Sequence, residues 1–153
     1  MTRPVYVWLA AGGSAALLLA AFAFQYLGGL APCALCIWQR WPHAAAVAIG
    51  ALALTTGRFA LAWLGALAAL ATAGIGLYHS GVERGWWTGP QACSGGDIGA
   101  LTPEELLARI MAAPVVRCDE VPWALAGLSM ASWNAIASFA LALLWLQAAR
   151  ARG

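Results

Sequence analysis

Four cysteines stand in two pairs of unlike spacing. Cys33 and Cys36 form a C-x-x-C within residues 32–40, Pro-Cys-Ala-Leu-Cys-Ile-Trp-Gln-Arg, whereas Cys93 and Cys118 bracket a segment of about 26 residues. The chemistry open to such pairs is thiol–disulfide exchange, in which a thiolate attacks a disulfide sulfur. A C-x-x-C commonly lowers the pKa of one of its thiols. Its ring is also too short to restrain much unfolded chain, so a structural staple explains it poorly. The wider pair, taken alone, reads as such a staple, and closing its loop would contribute about 3 kcal/mol on a chain-entropy account. Four cysteines can also hold zinc, but there is no second C-x-x-C to complete that pattern. Arg40 follows Cys36 by four residues, which places both on one face of a helix that starts near Pro32. A fixed cation one turn away favours the thiolate, and it could hold negative charge on a reduced carbonyl ligand. The plainer role for Arg40 is an interfacial anchor.

The elements that must position these residues are apolar. Hydrophobic residues make up 63% of the 153 and charged residues only 9%, against about a quarter charged in an ordinary soluble domain. The apolar residues are gathered into blocks, which defines an integral membrane protein. The expected fold is an all-α bundle of four transmembrane helices in a single membrane domain, 1–153, with spans near 5–27, 42–57, 59–78 and 124–147. The second block falls short of the roughly 17–25 residues a span needs. Trp38, Trp41 and a snorkelling Arg40 can extend it to the interface. The first block is longer than the roughly 7–15 apolar residues of a signal peptide, so it is expected to stay as a span.

Charge sets the orientation. Arg3, Arg58, Arg150 and Arg152 flank one side with no acid beside them, and all six acids fall on the other side. Purely basic short segments favour the cytoplasm, so both termini are expected there. The segments near 28–41 and 79–123, which hold all four cysteines, then face outward, where disulfides persist. Trp8, Trp63 and Trp145 would lie near inner ends, with Tyr26, Trp41 and Tyr78 near outer ends. In the long outer loop, Thr102-Pro103-Glu104-Glu105 is a capping box that starts a helix over 103–112. Leu106, Leu107, Ile110 and Met111 share one face of it, suited to the membrane surface or to the protein's own loop, and Pro114 ends it. Ser94-Gly95-Gly96 should leave Cys93 on a flexible segment. Trp86 and Trp87 read as interfacial anchors.

Taken together, P-C-x-L-C-x-W-x-R over 32–40, Tyr78-His79, the loop pair Cys93 and Cys118, and W-x-x-x-G-x-S-M-x-x-W-N over 123–134 resemble the bacterial disulfide bond formation protein B (DsbB) family. The resemblance spans nearly the whole chain. It implies that Cys33 and Cys36 are the redox pair that passes electrons to a membrane quinone, ubiquinone or menaquinone, with Cys36 engaging it. It implies that Cys93 and Cys118 oxidise a periplasmic thioredoxin-fold partner like DsbA, with Cys93 attacked. Arg40 matches the arginine beside the quinone, and His79 takes a place like that of a histidine near it. Location in the bacterial inner membrane, with cysteine loops in the periplasm, follows from the same likeness. No metal and no nucleic acid is implied.

The chemistry is consistent with that likeness. Disulfide formation needs a two-electron acceptor more oxidising than the product, and no haem, dinucleotide or zinc signature occurs in the chain. Membrane quinone is such an acceptor. Two cysteine pairs suit two partners that live in different solvents. One rival is the vitamin K epoxide reductase type of thiol and quinone enzyme, in which the loop cysteines precede the membrane C-x-x-C; here the C-x-x-C comes first. A non-catalytic scaffold with structural disulfides is the other. The charge asymmetry yields a direct test. Membrane-impermeant maleimide should label Cys93 and Cys118 in reduced, intact spheroplasts; labelling that requires a breached membrane would reverse the orientation.

Overall fold

The computed structural model describes residues 2–90, 102–112 and 116–151. Most of that chain is helical. Helix α1 covers Arg3–Tyr26, α2 Ala34–Thr56, α3 Ala62–Glu83, α4 Pro103–Ala112 and α5 Met130–Arg150. A 3₁₀ turn, Phe59–Leu61, precedes α3, and two short strands, β1 (Ala124–Leu125) and β2 (Leu128–Ser129), precede α5.

Local chemistry fixes the ends of these elements. The Cys33 sulfur caps α2 by accepting from the Cys36 N–H at 3.2 Å, so a redox-capable atom also satisfies one orphan donor of the helix start. Gly57 closes α2 in the left-handed conformation, φ 68°, where a side chain would be strained. The Ser129 hydroxyl caps α5 by accepting from the Ser132 N–H at 3.2 Å. Between β1 and β2, Ala126 and Gly127 both take positive φ, the requirement of a tight hairpin turn. The Trp133 indole donates to the Leu125 carbonyl at 3.1 Å and ties that hairpin to α5. At α4, the Glu105 N–H donates to the Thr102 hydroxyl and the Thr102 N–H donates back to the Glu105 carboxylate, a reciprocal capping box. Those hydrogen bonds hold the Glu105 carboxyl below its usual range.

The four long helices form a ring in which α1 and α3 each pack on both α2 and α5. Three of them, α1, α5 and α3 with its leading turn, are long and apolar enough to cross a membrane. Helix α2 is of similar length, but its first half carries Gln39, Arg40, Pro42 and His43. The centre of the ring is alanine. Ala10, Ala11, Ala46, Ala53, Ala62, Ala66, Ala69, Ala142 and Ala148 are buried, while Trp8, Leu19, Leu67, Leu77 and Phe139 face outward. That inversion suits lipid, where helix association depends on close backbone approach at small residues.

Several boundaries differ from the sequence expectation. Helix α2 begins at Ala34, so Pro32 precedes the cap and is not the first helical residue. Helix α3 runs to Glu83, which places His79 within a helix instead of at the start of a loop. Residues 124–129, expected in the last span, form the hairpin. Trp145, expected near an inner end, is fully buried there: its ring packs inward against Gly50 and Gly65 of two neighbouring helices. The expected flexible segment 94–96 and the stop at Pro114 lie outside the described residues.

The Trp145 contact is tight. A Cβ on Gly65 would meet the indole at 2.5 Å, whereas one on Gly74 would meet nothing within 4 Å. Gly65→Ala should therefore cost about 1–3 kcal/mol through overpacking, read as a lower midpoint of thermal unfolding in detergent. Gly74→Ala should be neutral or slightly stabilising, and equal midpoints for the two variants would show that the indole can step aside.

Candidate active site

The start of α2 places Cys33 and Cys36 one turn apart with sulfurs separated by 2.9 Å. Both are free thiols, and both precede the apolar part of α2. The Cys33 thiol donates toward the Cys36 sulfur. That hydrogen bond lowers the Cys36 pKa against the effect of burial, and the Arg40 guanidinium adds to the lowering. The same bond, with burial, pushes the Cys33 thiol up. Cys36 is thus the more readily ionised of the two thiols.

Helix α3 brings His79 against the pair. Its Nε2 lies 3.6 Å from the Cys33 sulfur and 3.9 Å from a Glu83 carboxylate oxygen one turn further on. Glu83 in turn accepts from the Ser129 hydroxyl, which also lies 3.1 Å from Ser132. The return of the long loop places Cys118 here as well: donor atoms of Cys33, His79 and Cys118 all lie within 4.8 Å of one another. Cys118 is disulfide-bonded, so its sulfur is not a thiolate ligand and the trio is not a zinc centre in this form. Cys93 lies outside the described residues.

Gln39 organises the other side. Its amide N–H donates to the Leu35 carbonyl at 3.2 Å and to His79 Nδ1 at 3.0 Å. Its carbonyl accepts from the Asn134 amide at 2.7 Å, which also donates to Thr72 at 3.2 Å. The Asn134 carbonyl oxygen then faces His43 Nε2 at 3.0 Å. These partners assign the tautomers. His79 accepts at Nδ1 and carries its proton on Nε2, which hydrogen-bonds the Cys118 backbone and lies near the Cys33 sulfur. His43 carries its proton on Nε2, toward Asn134.

An apolar cavity of about 330 Å³ opens beside these groups, and Cys36, Gln39, Arg40, His43, His79 and Asn134 supply its polar lining. Arg40 donates to the Gln25 side chain at 2.6 Å, its guanidinium lies 4.9 Å from the Phe22 ring centroid, and its Nε is buried without a partner. The structure therefore brings together Cys33, Cys36, Arg40, His79 and Cys118. Gln39, His43, Thr72, Glu83 and Asn134 were not singled out by sequence as site residues. The signal was present for two of them: Cys36, Gln39 or Arg40, and His43 recur at the three- and four-residue spacing of one helical face.

A helical bundle with a dithiol at its edge, a bonded cysteine beside it and an apolar cavity behind it is the arrangement a membrane thiol–disulfide oxidoreductase requires. The family model for "Disulfide bond formation protein DsbB" matches residues 3–148. A disulfide bond formation protein B from Verminephrobacter eiseniae (strain EF01-2) is 39% identical, with 90% of this chain and 80% of the relative covered. One from Shewanella sp. (strain MR-4) is 36% identical over 85% of this chain and 78% of its own length, and one from Albidiferax ferrireducens is 31% identical over 82% and 78%. No solved structure matches the chain significantly. This chain belongs to the disulfide bond formation protein B family, and it is a membrane thiol oxidase of disulfide formation.

The unequal thiols should be visible in solution. In the reduced protein, iodoacetamide should modify Cys36 at a pH where Cys33 is still inert, with a reaction midpoint below that of an ordinary thiol near 8.5. Cys33→Ala removes the thiol donor to Cys36 and should move the midpoint upward. Equal alkylation of both cysteines across the titration would remove the asymmetry.

Proposed function

We propose that the protein reoxidises a periplasmic thioredoxin-fold dithiol oxidase, DsbA-like, and passes its electrons to membrane quinone. In this reading all four long helices cross the bacterial inner membrane, α2 by its apolar part over about 42–57, with both termini cytoplasmic and both cysteine segments periplasmic. The observation that carries it is the position of the C-x-x-C. Cys33 lies beside Cys118, and Cys36 lines the apolar cavity together with Arg40.

The steps balance as follows. A partner thiolate attacks Cys93 of a Cys93–Cys118 disulfide, the Cys118 thiolate leaves, and the second partner thiol displaces Cys93 to release the oxidised partner. The loop dithiol then reduces a Cys33–Cys36 disulfide by exchange, for which Cys118 and Cys33 are the neighbouring sulfurs. Closing Cys33–Cys36 again releases two electrons and two protons, which quinone in the cavity takes up. The residues fit that substrate: the cavity is apolar and near the lower end of the roughly 300–1,000 Å³ range of small-molecule sites, and Arg40 Nε is a buried donor that lacks a partner. Arg40 would hold a quinone oxygen and stabilise charge that develops there, while the His79 N–H would steady negative charge on the Cys33 sulfur.

Purified protein should reduce decylubiquinone with a reduced DsbA-like protein as electron donor, and Cys36→Ala should abolish this. Arg40→Ala should weaken quinone use by roughly 10- to 100-fold, the value of a hydrogen bond to a charged group. Arg40→Lys should fall between, because it keeps charge and loses the planar fork. Cys118→Ser should trap a mixed disulfide with the partner through Cys93; an adduct at Cys33 or Cys36 would reverse the division of labour, and no quinone reduction at all would leave a scaffold.

A further inference from the structure

Among the described residues, four buried side-chain polar atoms lack a hydrogen-bond partner: Ser14 Oγ, Arg40 Nε, His43 Nδ1 and Trp145 Nε1. Two of these residues, Arg40 and His43, line the cavity, and they stand three residues apart on α2. They are also chemically opposite. Arg40 Nε can only donate. His43 Nδ1 can only accept, because its Nε2 proton is committed to the Asn134 carbonyl oxygen at 3.0 Å, with the Ser138 hydroxyl 3.3 Å away. The commitment is firm: the Asn134 amide nitrogen is already spent on Gln39 and Thr72, so its oxygen is the end left to face the ring. His43 is only 3% exposed, and an acceptor buried without a donor is costly unless something supplies one. Neither the motifs of the sequence nor the proposed electron path uses this residue.

We infer that His43 Nδ1 receives the hydroxyl hydrogen of the reduced acceptor, which makes the cavity selective for the two-electron-reduced form of a quinone-like carbonyl compound. The inference rests on the quinone reading above. An oxidised quinone presents carbonyl oxygens that accept only, so Arg40 Nε suits it and His43 Nδ1 does not. Two electrons and two protons convert those oxygens to hydroxyls, which donate as well as accept. His43 Nδ1 then gains the donor it lacks, and the ligand gains a contact available in one oxidation state alone. An interaction stronger in the product state than in the reactant draws reduction forward at this site.

Side-chain length offers a clean test. Glutamine in place of His43 reaches Asn134 as Nε2 does but has no atom at the Nδ1 position, whereas asparagine offers an acceptor near Nδ1 and loses the Asn134 contact. Affinities of decylubiquinone and of its quinol would be measured on detergent-solubilised Cys33→Ser, Cys36→Ser protein, which cannot transfer electrons. Adding His43→Gln should weaken quinol binding about tenfold and alter quinone binding by less than about twofold, the size expected for one neutral hydrogen bond. His43→Asn should keep most of the preference for quinol. An unchanged ratio of the two affinities in His43→Gln, or equal loss in both variants, would exclude Nδ1 as the acceptor while the quinone reading stands. If the parent protein binds neither probe, both readings fall together.

Discussion

A polar group enclosed by apolar helices is costly unless it is hydrogen-bonded from within, and the side chain of Gln39 satisfies that demand for three helices at once. One amide joins three helices: it donates to His79 on α3, accepts from Asn134 on α5, and returns to its own helix at Leu35. The Gln39 backbone carbonyl also accepts from Thr72 at 3.1 Å. In a medium without water an unmet group of this kind costs several kcal/mol. The register of α2 against α3 and α5 is therefore set by polar pairing as much as by packing. The position of the C-x-x-C depends on that register, since Cys33 and Cys36 open the same helix.

The donors of this network all run one way. From His43 through Asn134 and Gln39 to His79, each N–H points toward the next acceptor, and the last one faces the Cys33 sulfur. Aligned hydrogen bonds polarise one another, so the chain presents its positive end to the sulfur. Amide side chains are poor carriers of protons, and the chain is better described as an oriented dipole than as a wire. Its positive end meets the Cys33 sulfur.

Packing serves the same site differently. Alanine and glycine at the centre allow α2, α3 and α5 to approach, and Trp145 fills the remaining space near the end opposite the cysteines. The large apolar residues are left for the outside. A soluble protein would place them inward, and here the inversion leaves room between helices for a largely apolar cavity whose few polar groups include Cys36, Arg40 and His43.

The sequence by itself determined the class, the helical blocks, the segregation of charge and the grouping of cysteines, because these follow from composition and short-range spacing. It also located the capping box at Thr102 and Glu105, whose partners are three residues apart, and the helical spacing of Cys36 and Arg40. It misjudged the ends of α2, α3 and α5: hydropathy marks where lipid ends, while hydrogen bonding carries a helix further, as at His79–Glu83, or stops it short, as at the 124–129 hairpin. Trp145 could not be told from an interfacial tryptophan, since burial depends on what faces it. Only the tertiary structure decided that Cys118 returns to Cys33 and His79, and that Gln39, His43 and Asn134 meet. Those residues are separated by 40 to 95 positions in their bonded pairs, and a hydrogen bond across such a distance leaves no periodic trace in the chain.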